Sequence, residues 1–342
     1  MRGVDRPSEL KRWIESRLSV APLELEPASA DASFRRYFRV RAAGESFIVM
    51  DAPPAHEDCR PFVRVARLMA DAGLHVPRVI AEDLERGFLL LSDLGTAGYL
   101  QALNADTADD LFRDAVDALL RWQLASKPGV LPPYDAALLT RELQLFPDWY
   151  VGRHRAIALD APQRAALDAV FALILKNNLA QPAVYVHRDY MPRNLMVCEP
   201  NPGVLDFQDA VYGPVTYDIA SLFKDAFISW DEERVLDWTA RYWEKAKRAG
   251  LPVAPDFGEF YRDFEWMGLQ RHLKVLGIFA RLNYRDGKSS YLEDTPRFIG
   301  YVRAVAARYA ALPPAAPRAW PSPSSAPSSR ARALRPSSRT RP

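Results

Sequence analysis

Cysteine and long apolar segments are scarce in this chain of 342 residues. Cys59 and Cys198 are its only cysteines, too few for a disulfide framework or a cysteine-based zinc site, so we expect reduced thiols. The longest apolar runs, such as residues 169–175, fall far short of the roughly 18 residues that a membrane helix needs. The charged amino-terminus lacks the apolar core of a secretory signal. We therefore expect a cytoplasmic protein with no membrane partner.

Net charge is also low, with 45 lysines and arginines against 43 aspartates and glutamates. The balance is uneven, because residues 313–342 contain six arginines and no acidic residue and leave the first 312 residues with a net charge of −4. A weakly acidic body gives no electrostatic reason to expect nucleic-acid binding. The Pro/Ser/Arg-rich segment 313–342 has too few large apolar residues to offset its ordering entropy, so we predict a disordered tail.

Two kinds of periodicity divide the rest of the chain. Runs of aromatic and β-branched residues predict short strands at 34–40, 46–50, 77–80 and 88–91. Helical spacing of apolar residues predicts long helices at 161–180, 231–249 and 259–283. Together they predict an α+β fold, with a small β-rich lobe at 1–95 and a larger helical lobe at 96–312.

The most specific pattern is His187-Arg188-Asp189 followed by Asn194, with an Asp-Phe pair that begins at Asp206. This order and spacing match the catalytic loop and metal-binding segment of phosphoryl-transfer enzymes with the protein-kinase fold. In such sites one carboxylate accepts the proton of the acceptor hydroxyl, while an amide and a second carboxylate hold Mg²⁺ against the phosphates. We assign the first role to Asp189 and the metal roles to Asn194 and Asp206.

The segments D-F-Q-D-A at 206–210 and D-I-A at 218–220 extend the match. With the catalytic loop they resemble the small-molecule kinases related to aminoglycoside phosphotransferases. This resemblance implies a bilobal, protein-kinase-like fold, ATP and Mg²⁺ as cofactors, and an Asp218 that supports the catalytic loop. It also implies that residues 89–95 connect the lobes and read adenine through their backbone, at Ser92, Asp93 and Leu94.

Four further segments, at 29–39, 49–54, 143–149 and 267–281, narrow the resemblance. They are similar to the anomeric amino-sugar kinases of bacterial cell-wall recycling, and the similarity spans roughly residues 8–310. It implies phosphorylation of the C1 hydroxyl of N-acetylmuramate and N-acetylglucosamine, on the way to UDP-sugars. The small-molecule partner would then be an amino sugar.

A lysine is missing where kinases usually carry one. A small-lobe strand lysine normally pairs with the nucleotide phosphates, yet no lysine occurs between Lys11 and Lys127, and Met50 and Asp51 lie near its expected place. We expect an arginine to replace it.

Arg35 and Arg36 are the candidates for that replacement. They follow Ser33 at the tip of a hairpin made of small residues without the usual glycines, whose backbone N–H groups can meet phosphate oxygens. The alternative is that both arginines are ordinary exposed strand residues.

Cationic residues of the helical lobe favour an anionic acceptor. Arg271 and Lys274 on one predicted helix, with Arg153 on an earlier segment, suit a carboxylate such as the lactyl group of N-acetylmuramate. Trp149 is a candidate platform for a pyranose ring. A solvated helix face for the cations and a core position for the tryptophan remain alternatives.

Two other functions stay open at this point. The same chemistry can serve another acceptor, such as an aminoglycoside, choline or an amino acid. The missing lysine also suits a nucleotide-binding pseudokinase scaffold, although the intact Asp189, Asn194 and Asp206 weigh against it. Oligomeric state is not indicated by the sequence.

Overall fold

The described part of the chain, residues 5–19, 24–30 and 34–309 of a computed structural model, consists of an antiparallel sheet and a larger helical part. The predicted tail at 313–342 lies outside the described residues. Among those residues, no helix is both long enough and apolar enough to cross a membrane.

The sheet of the small lobe has five strands in the order β1-β2-β3-β5-β4, all antiparallel neighbours. Its strands are β1 (Glu26–Ala30), β2 (Arg36–Ala42), β3 (Glu45–Asp51), β4 (Val79–Asp83) and β5 (Phe88–Ser92). The predicted hairpin is β2–β3, whose turn residues Ala43 and Gly44 both have positive φ values, 52° and 83°. Such a two-residue turn matches the right-handed twist of the strands that it joins.

Each face of this sheet is covered by a helix. Helix α1 (Arg6–Leu18) places Leu10, Trp13 and Ile14 in one cluster with Val40 and Val49. Helix α2 (Arg60–Asp71) lies in the main core of the molecule, which also holds the opposite sheet face. Because side chains alternate across a strand, Met50 belongs to the main core while Asp51 points toward α1.

The helical part surrounds one long central helix. Its helices are α3 (Tyr99–Ala102), α4 (Ala108–Leu124), α5 (Ala136–Leu145), α6 (Ala161–Ala180), α7 (Tyr217–Phe223), α8 (Glu232–Arg248), α9 (Phe257–Asp286) and α10 (Thr295–Arg308). A π-helix (Phe146–His154) continues α5, and short 3-10 helices occupy Pro192–Asn194 and Ser289–Asp294. Helix α9 has 30 residues and is therefore about 45 Å long. Gly277 lets α9 approach α5 closely, since a Cβ there would lie 2.4 Å from the Leu145 backbone.

Two short strand pairs present the loops of interest. Strand β6 (Ala183–Val186) pairs with β9 (Val211–Pro214), and β7 (Leu195–Met196) pairs with β8 (Gly203–Val204). The chain leaves β6 at His187 and leaves β8 at Leu205. The two predicted motifs therefore start from neighbouring strand ends.

The β7–β8 hairpin is also joined to the small lobe. Val204 N–H donates to the His75 carbonyl at 2.8 Å, and Val197 N–H donates to the Ala97 carbonyl at 2.7 Å. These bonds lie on both sides of the lobe connection. We call this pair of contacts the seam.

Candidate active site

Asp218 holds the catalytic loop by its backbone. Its Oδ2 accepts from His187 N–H at 2.7 Å and its Oδ1 from Arg188 N–H at 3.0 Å. The carboxyl group is fully buried, and burial raises the pKa of Asp218 to about 7, against the lowering effect of these two donors. The supporting role expected of Asp218 from the family resemblance agrees with this geometry.

His187 connects the catalytic loop to the metal-binding segment. Its Nε2–H donates to the Leu205 carbonyl at 3.0 Å, and its Nδ1 faces the Asp189 N–H at 3.3 Å. Burial lowers the pKa of His187 to about 4, so the ring is neutral at physiological pH. A neutral imidazole has one donor and one acceptor, which are the two groups that this bridging position uses. We therefore give His187 a structural role and no part in proton transfer.

Asp189, Asn194 and Asp206 come together as the motif predicts. The Asn194 amide donates to the Asp189 carbonyl at 2.9 Å and to Asp206 Oδ2 at 3.3 Å, while Gln208 Nε2 donates to Asp206 Oδ1 at 2.8 Å. All three side chains remain partly exposed. The Asn194 amide therefore joins the backbone of Asp189 to the carboxylate of Asp206, and all three residues lie at a surface that a substrate can reach.

The donor set fits Mg²⁺. The cation prefers oxygen ligands and is usually held by one or two carboxylates together with substrate phosphates, not by an all-protein cage. No group of three or more His, Cys, Asp or Glu residues is gathered for a metal within the described residues. The carboxylate of Asp206 and the amide oxygen of Asn194 match this small number of protein ligands.

The structure separates the two candidate arginines. Arg35 forms an ion pair with Glu57, Nη2 to Oε2 at 3.1 Å, just before helix α2. Burial by itself lowers the pKa of Arg35, but nearby groups including Glu57, Asp206 and Asp209 outweigh it, and the pKa is raised. The charges of Asp206 and Asp209 therefore act on Arg35.

Arg36 points to the opposite face of the sheet. It pairs with the fully buried Asp51, which also accepts from Arg6 Nε of α1 at 2.8 Å. Met50, on the other face, is completely buried in the main core. Strand β3 therefore offers no cation at either of the positions where the missing lysine was expected.

The polar side chains of the lobe connection form hydrogen bonds with other residues of the protein. Ser92 Oγ accepts from the Arg78 N–H at 2.9 Å. Asp93 accepts from Arg39 Nε and Ser46 Oγ, both at 2.6 Å; although burial opposes it, these bonds lower the pKa of Asp93. Recognition of an adenine ring here would thus fall to the backbone.

Leu94 and Ser33 complete the expected nucleotide site. Leu94 is buried, and a Cβ built on Gly203 of β8 would lie 2.9 Å from its Cδ1. Leu94 therefore packs directly on the backbone of β8. Ser33 lies outside the described residues.

Arg271 and Lys274 have different surroundings although both are buried on α9. Arg271 Nη2 lies 3.7 Å from Met191 Sδ in the catalytic loop, and its Nη1 has no hydrogen-bond partner among the described residues. Lys274 Nζ lies 3.0 Å from Glu142 Oε1 and 3.1 Å from the Tyr217 hydroxyl. Arg271 thus retains a free donor next to the loop, whereas Lys274 is fully engaged.

Arg153 and Trp149 are placed apart from this group. The Arg153 guanidinium lies 5.5 Å from the ring centre of Tyr284, which is 13 residues beyond Arg271 on α9 and therefore about 20 Å further along the helix. Trp149 is half-buried on the π-helix and packs against the core around α9. The structure does not bring Arg153 together with Asp189.

Some residues around the loop were not predicted from sequence. Arg193, inside the catalytic loop, donates to the Tyr291 hydroxyl at 3.2 Å, and its guanidinium lies 5.5 Å from the ring centre of Phe227. The signal for Arg193 was its place in the motif, one residue before Asn194. Glu142 on α5 had no such signal, because its partners lie 46 and 132 residues further along the chain.

Comparison with known proteins gives both a family and named relatives. A family model described as a phosphotransferase enzyme family matches residues 24–257. A relative from Pseudomonas aeruginosa, named N-acetylmuramate/N-acetylglucosamine kinase, is 56% identical over 313 residues, covering 89% of this chain and 93% of the relative. A relative of the same name from Neisseria meningitidis is 48% identical over 316 residues, covering 91% and 94%.

A solved structure supports the fold. An ADP-bound aminoglycoside phosphotransferase is similar with a TM-score of 0.58 at 13% identity, over 87% of this chain and 98% of that one. At such low identity the similarity concerns the fold alone. The predicted α+β, protein-kinase-like architecture is confirmed.

Proposed function

Because the chain belongs to the phosphotransferase enzyme family, we propose that it is an ATP-dependent kinase for the anomeric (C1) hydroxyl of N-acetylmuramate and N-acetylglucosamine. The observation that carries the proposal is the convergence of Asp189, Asn194 and Asp206. The names of the two relatives supply the acceptors. The products are α-1-phosphates, which serve peptidoglycan recycling toward UDP-sugars. Because the proposed reaction consumes ATP, we propose that it takes place in the cytoplasm.

The residues divide the chemistry among them. Asp189 orients the acceptor hydroxyl and takes its proton as the oxygen bonds to the γ-phosphorus of ATP, while the bond from that phosphorus to the bridging oxygen breaks and ADP leaves. Asn194 and Asp206 hold Mg²⁺, which neutralises phosphate charge when bound. Arg35 donates to phosphate oxygens on which negative charge accumulates. Residues up to 95 form the nucleotide lobe, and residues 96–312 supply the base and the acceptor site.

Arg271 is the stronger candidate for the substrate carboxylate. Its Nη1 is a buried donor without a partner among the described residues, and a buried unsatisfied donor is costly unless a ligand or water meets it. N-acetylmuramate carries a lactyl carboxylate that meets this need, whereas N-acetylglucosamine does not. Lys274 already has two polar partners, so we do not assign it this role.

The product identifies the reaction. With Mg-ATP, we expect N-acetylmuramate and N-acetylglucosamine to yield α-1-phosphates, whose ³¹P resonance couples to the sugar H1 proton. Methyl glycosides of both sugars, blocked at C1, should give no product. Arg271→Gln should raise KM for N-acetylmuramate at least about tenfold and change KM for N-acetylglucosamine much less.

Three results would contradict this assignment. They are coupling to the H6 protons, turnover of the C1-blocked sugars, and exclusive turnover of an aminoglycoside or choline in the same panel. Arg153→Gln is the matched control for Arg271, because Arg153 is an exposed arginine remote from the loop. It should leave both KM values unchanged.

The two arginines at the start of β2, Arg35 just before the strand and Arg36 as its first residue, make a paired test. Arg35→Ala should lower kcat/KM for ATP at least about tenfold, because it removes the cation that lies near Asp206. Arg36→Ala should preserve kcat/KM, since Arg36 binds Asp51 on the other side of the sheet. Steady-state kinetics with varied ATP measures both. Full activity of Arg35→Ala would rule out Arg35 as the replacement for the missing lysine.

A further inference from the structure

Arg188 has an unusual backbone conformation for its residue type. Its φ is +76°, in the left-handed region that disfavours any residue with a Cβ and that glycine adopts freely. Strained positions of this kind persist where the surrounding structure enforces them, and they cluster at functional sites. The side chain of Arg188 should therefore make contacts that a glycine could not.

Those contacts converge on Glu142. Arg188 Nη2 lies 2.6 Å from Glu142 Oε1, and its guanidinium lies 5.6 Å from the ring centre of Tyr134. The Tyr134 hydroxyl donates to the other oxygen, Oε2, at 2.5 Å. Arg188 Nη1 also reaches the Asp209 carbonyl at 3.4 Å. One side chain thus ties the catalytic loop to helix α5 and to the metal-binding segment.

Lys274 adds a second cation to the same carboxylate. Its Nζ lies 3.0 Å from Glu142 Oε1, the oxygen that Arg188 also binds. Glu142 is only 5% exposed and Lys274 only 7%. Two cations on one buried carboxylate leave an excess positive charge, which is costly unless another anion balances it. Asp189 is among the anions whose charge acts on Lys274.

We propose that Glu142 is a positioning residue that gathers Arg188 and Lys274 beside the catalytic loop, so that Asp189 is held in place and its carboxylate balances their charge. This inference rests on the proposed function, because it gives Asp189 the role of base. Glu142 contacts no substrate in this scheme. It acts through Arg188, whose backbone is next to Asp189.

The test compares four variants of the full chain. Glu142→Gln and Lys274→Met should each lower kcat at least about tenfold, with KM for ATP and sugar within about twofold. Lys274→Arg should restore most of kcat. Arg188→Gly should fold well, because glycine suits the left-handed φ, and should still lose kcat. Ala156→Gly is the control, an exposed non-glycine position with φ of +52°; it should leave kcat unchanged.

A double variant and amide hydrogen exchange decide whether Glu142 positions the catalytic loop or only stabilises the fold in general. The loss in the double variant Glu142→Gln/Arg188→Gly should equal that of either single variant, because both break one unit. Amide hydrogen exchange in Glu142→Gln should accelerate at residues 187–189 and stay unchanged in α8. Additive losses, full kcat in Arg188→Gly, or unaltered exchange at 187–189 would each overturn the proposal. The exchange readout needs no acceptor, so it stands even if no sugar is phosphorylated and the proposed function fails.

Discussion

Replacing Asp189 with asparagine should lower kcat by at least about 10²-fold, or about 2.7 kcal/mol of transition-state stabilisation. The substitution preserves size and removes the proton acceptor. It also spares the loop, because Asn194 binds the carbonyl of Asp189 and Asp218 binds the N–H groups of His187 and Arg188. Affinity for ATP should therefore change little.

Kinetics and binding have to be measured on the same preparation. Initial rates with saturating sugar and Mg-ATP give kcat, and nucleotide titration gives Kd. Asp148→Asn, at an exposed position of the π-helix, is a matched control and should behave like the wild type. Wild-type turnover in Asp189→Asn would remove Asp189 from the role of base.

Asp206→Asn should abolish the dependence of nucleotide binding on Mg²⁺ and lower kcat/KM for ATP by about 10²-fold or more. Asp206 has a left-handed φ of +63°, a conformation that asparagine tolerates better than most residues. The variant should therefore fold normally. What it loses is the one negative charge that the assignment gives to the metal.

Titration of ATP with and without Mg²⁺ tests this expectation directly. In the wild type, Mg²⁺ should tighten binding, and in Asp206→Asn the two titrations should coincide. Asp148→Asn again serves as the control, because Asp148 is exposed and its carboxylate has no role in the metal site assigned here. A persistent Mg²⁺ effect in Asp206→Asn would place the metal on other residues.

The meeting of the Asp189–Asn194 segment with Asp206 was predictable because it is local in sequence. Asp189, Asn194 and Asp206 lie within 18 residues of one another, and two short strand pairs suffice to bring them together. Their order and spacing in the sequence therefore predict that these residues lie close together in the fold. The α+β fold class was predictable for a related reason, since strand and helix periodicities differ and predominate in different parts of the chain.

The sequence alone could not distinguish between neighbouring candidate residues whose partners lie far away in the chain. Arg271 and Lys274 are one turn apart on α9, and only the contacts of Lys274 with Tyr217 and Glu142, 57 and 132 residues earlier, show that it is engaged. Arg35 and Arg36 differ only in the side of the strand on which they lie. Sequence gave no strand register there, and a shift of one residue would exchange their surroundings.

Arg153 illustrates the same limit in another way. The sequence places it four residues after Trp149, and composition alone made both look like sugar ligands. The structure continues α5 as a π-helix through this segment, which sets Arg153 beside Tyr284. A rare helix type that contains Pro147 has no simple periodicity by which it could be recognised.

The seam has a mechanical consequence. A hydrogen bond at His75 fastens the small lobe to the β7–β8 hairpin, and a second bond, at Ala97, holds the chain just beyond the lobe connection to the same hairpin, so the axis of any rotation between the lobes must pass close to them. Amplitude grows with distance from an axis. Leu94, which packs on Gly203, therefore moves least, and the far end of the sheet, next to Arg35, moves most. For a nucleotide bound as proposed above, such a rotation would displace the phosphate end more than the base.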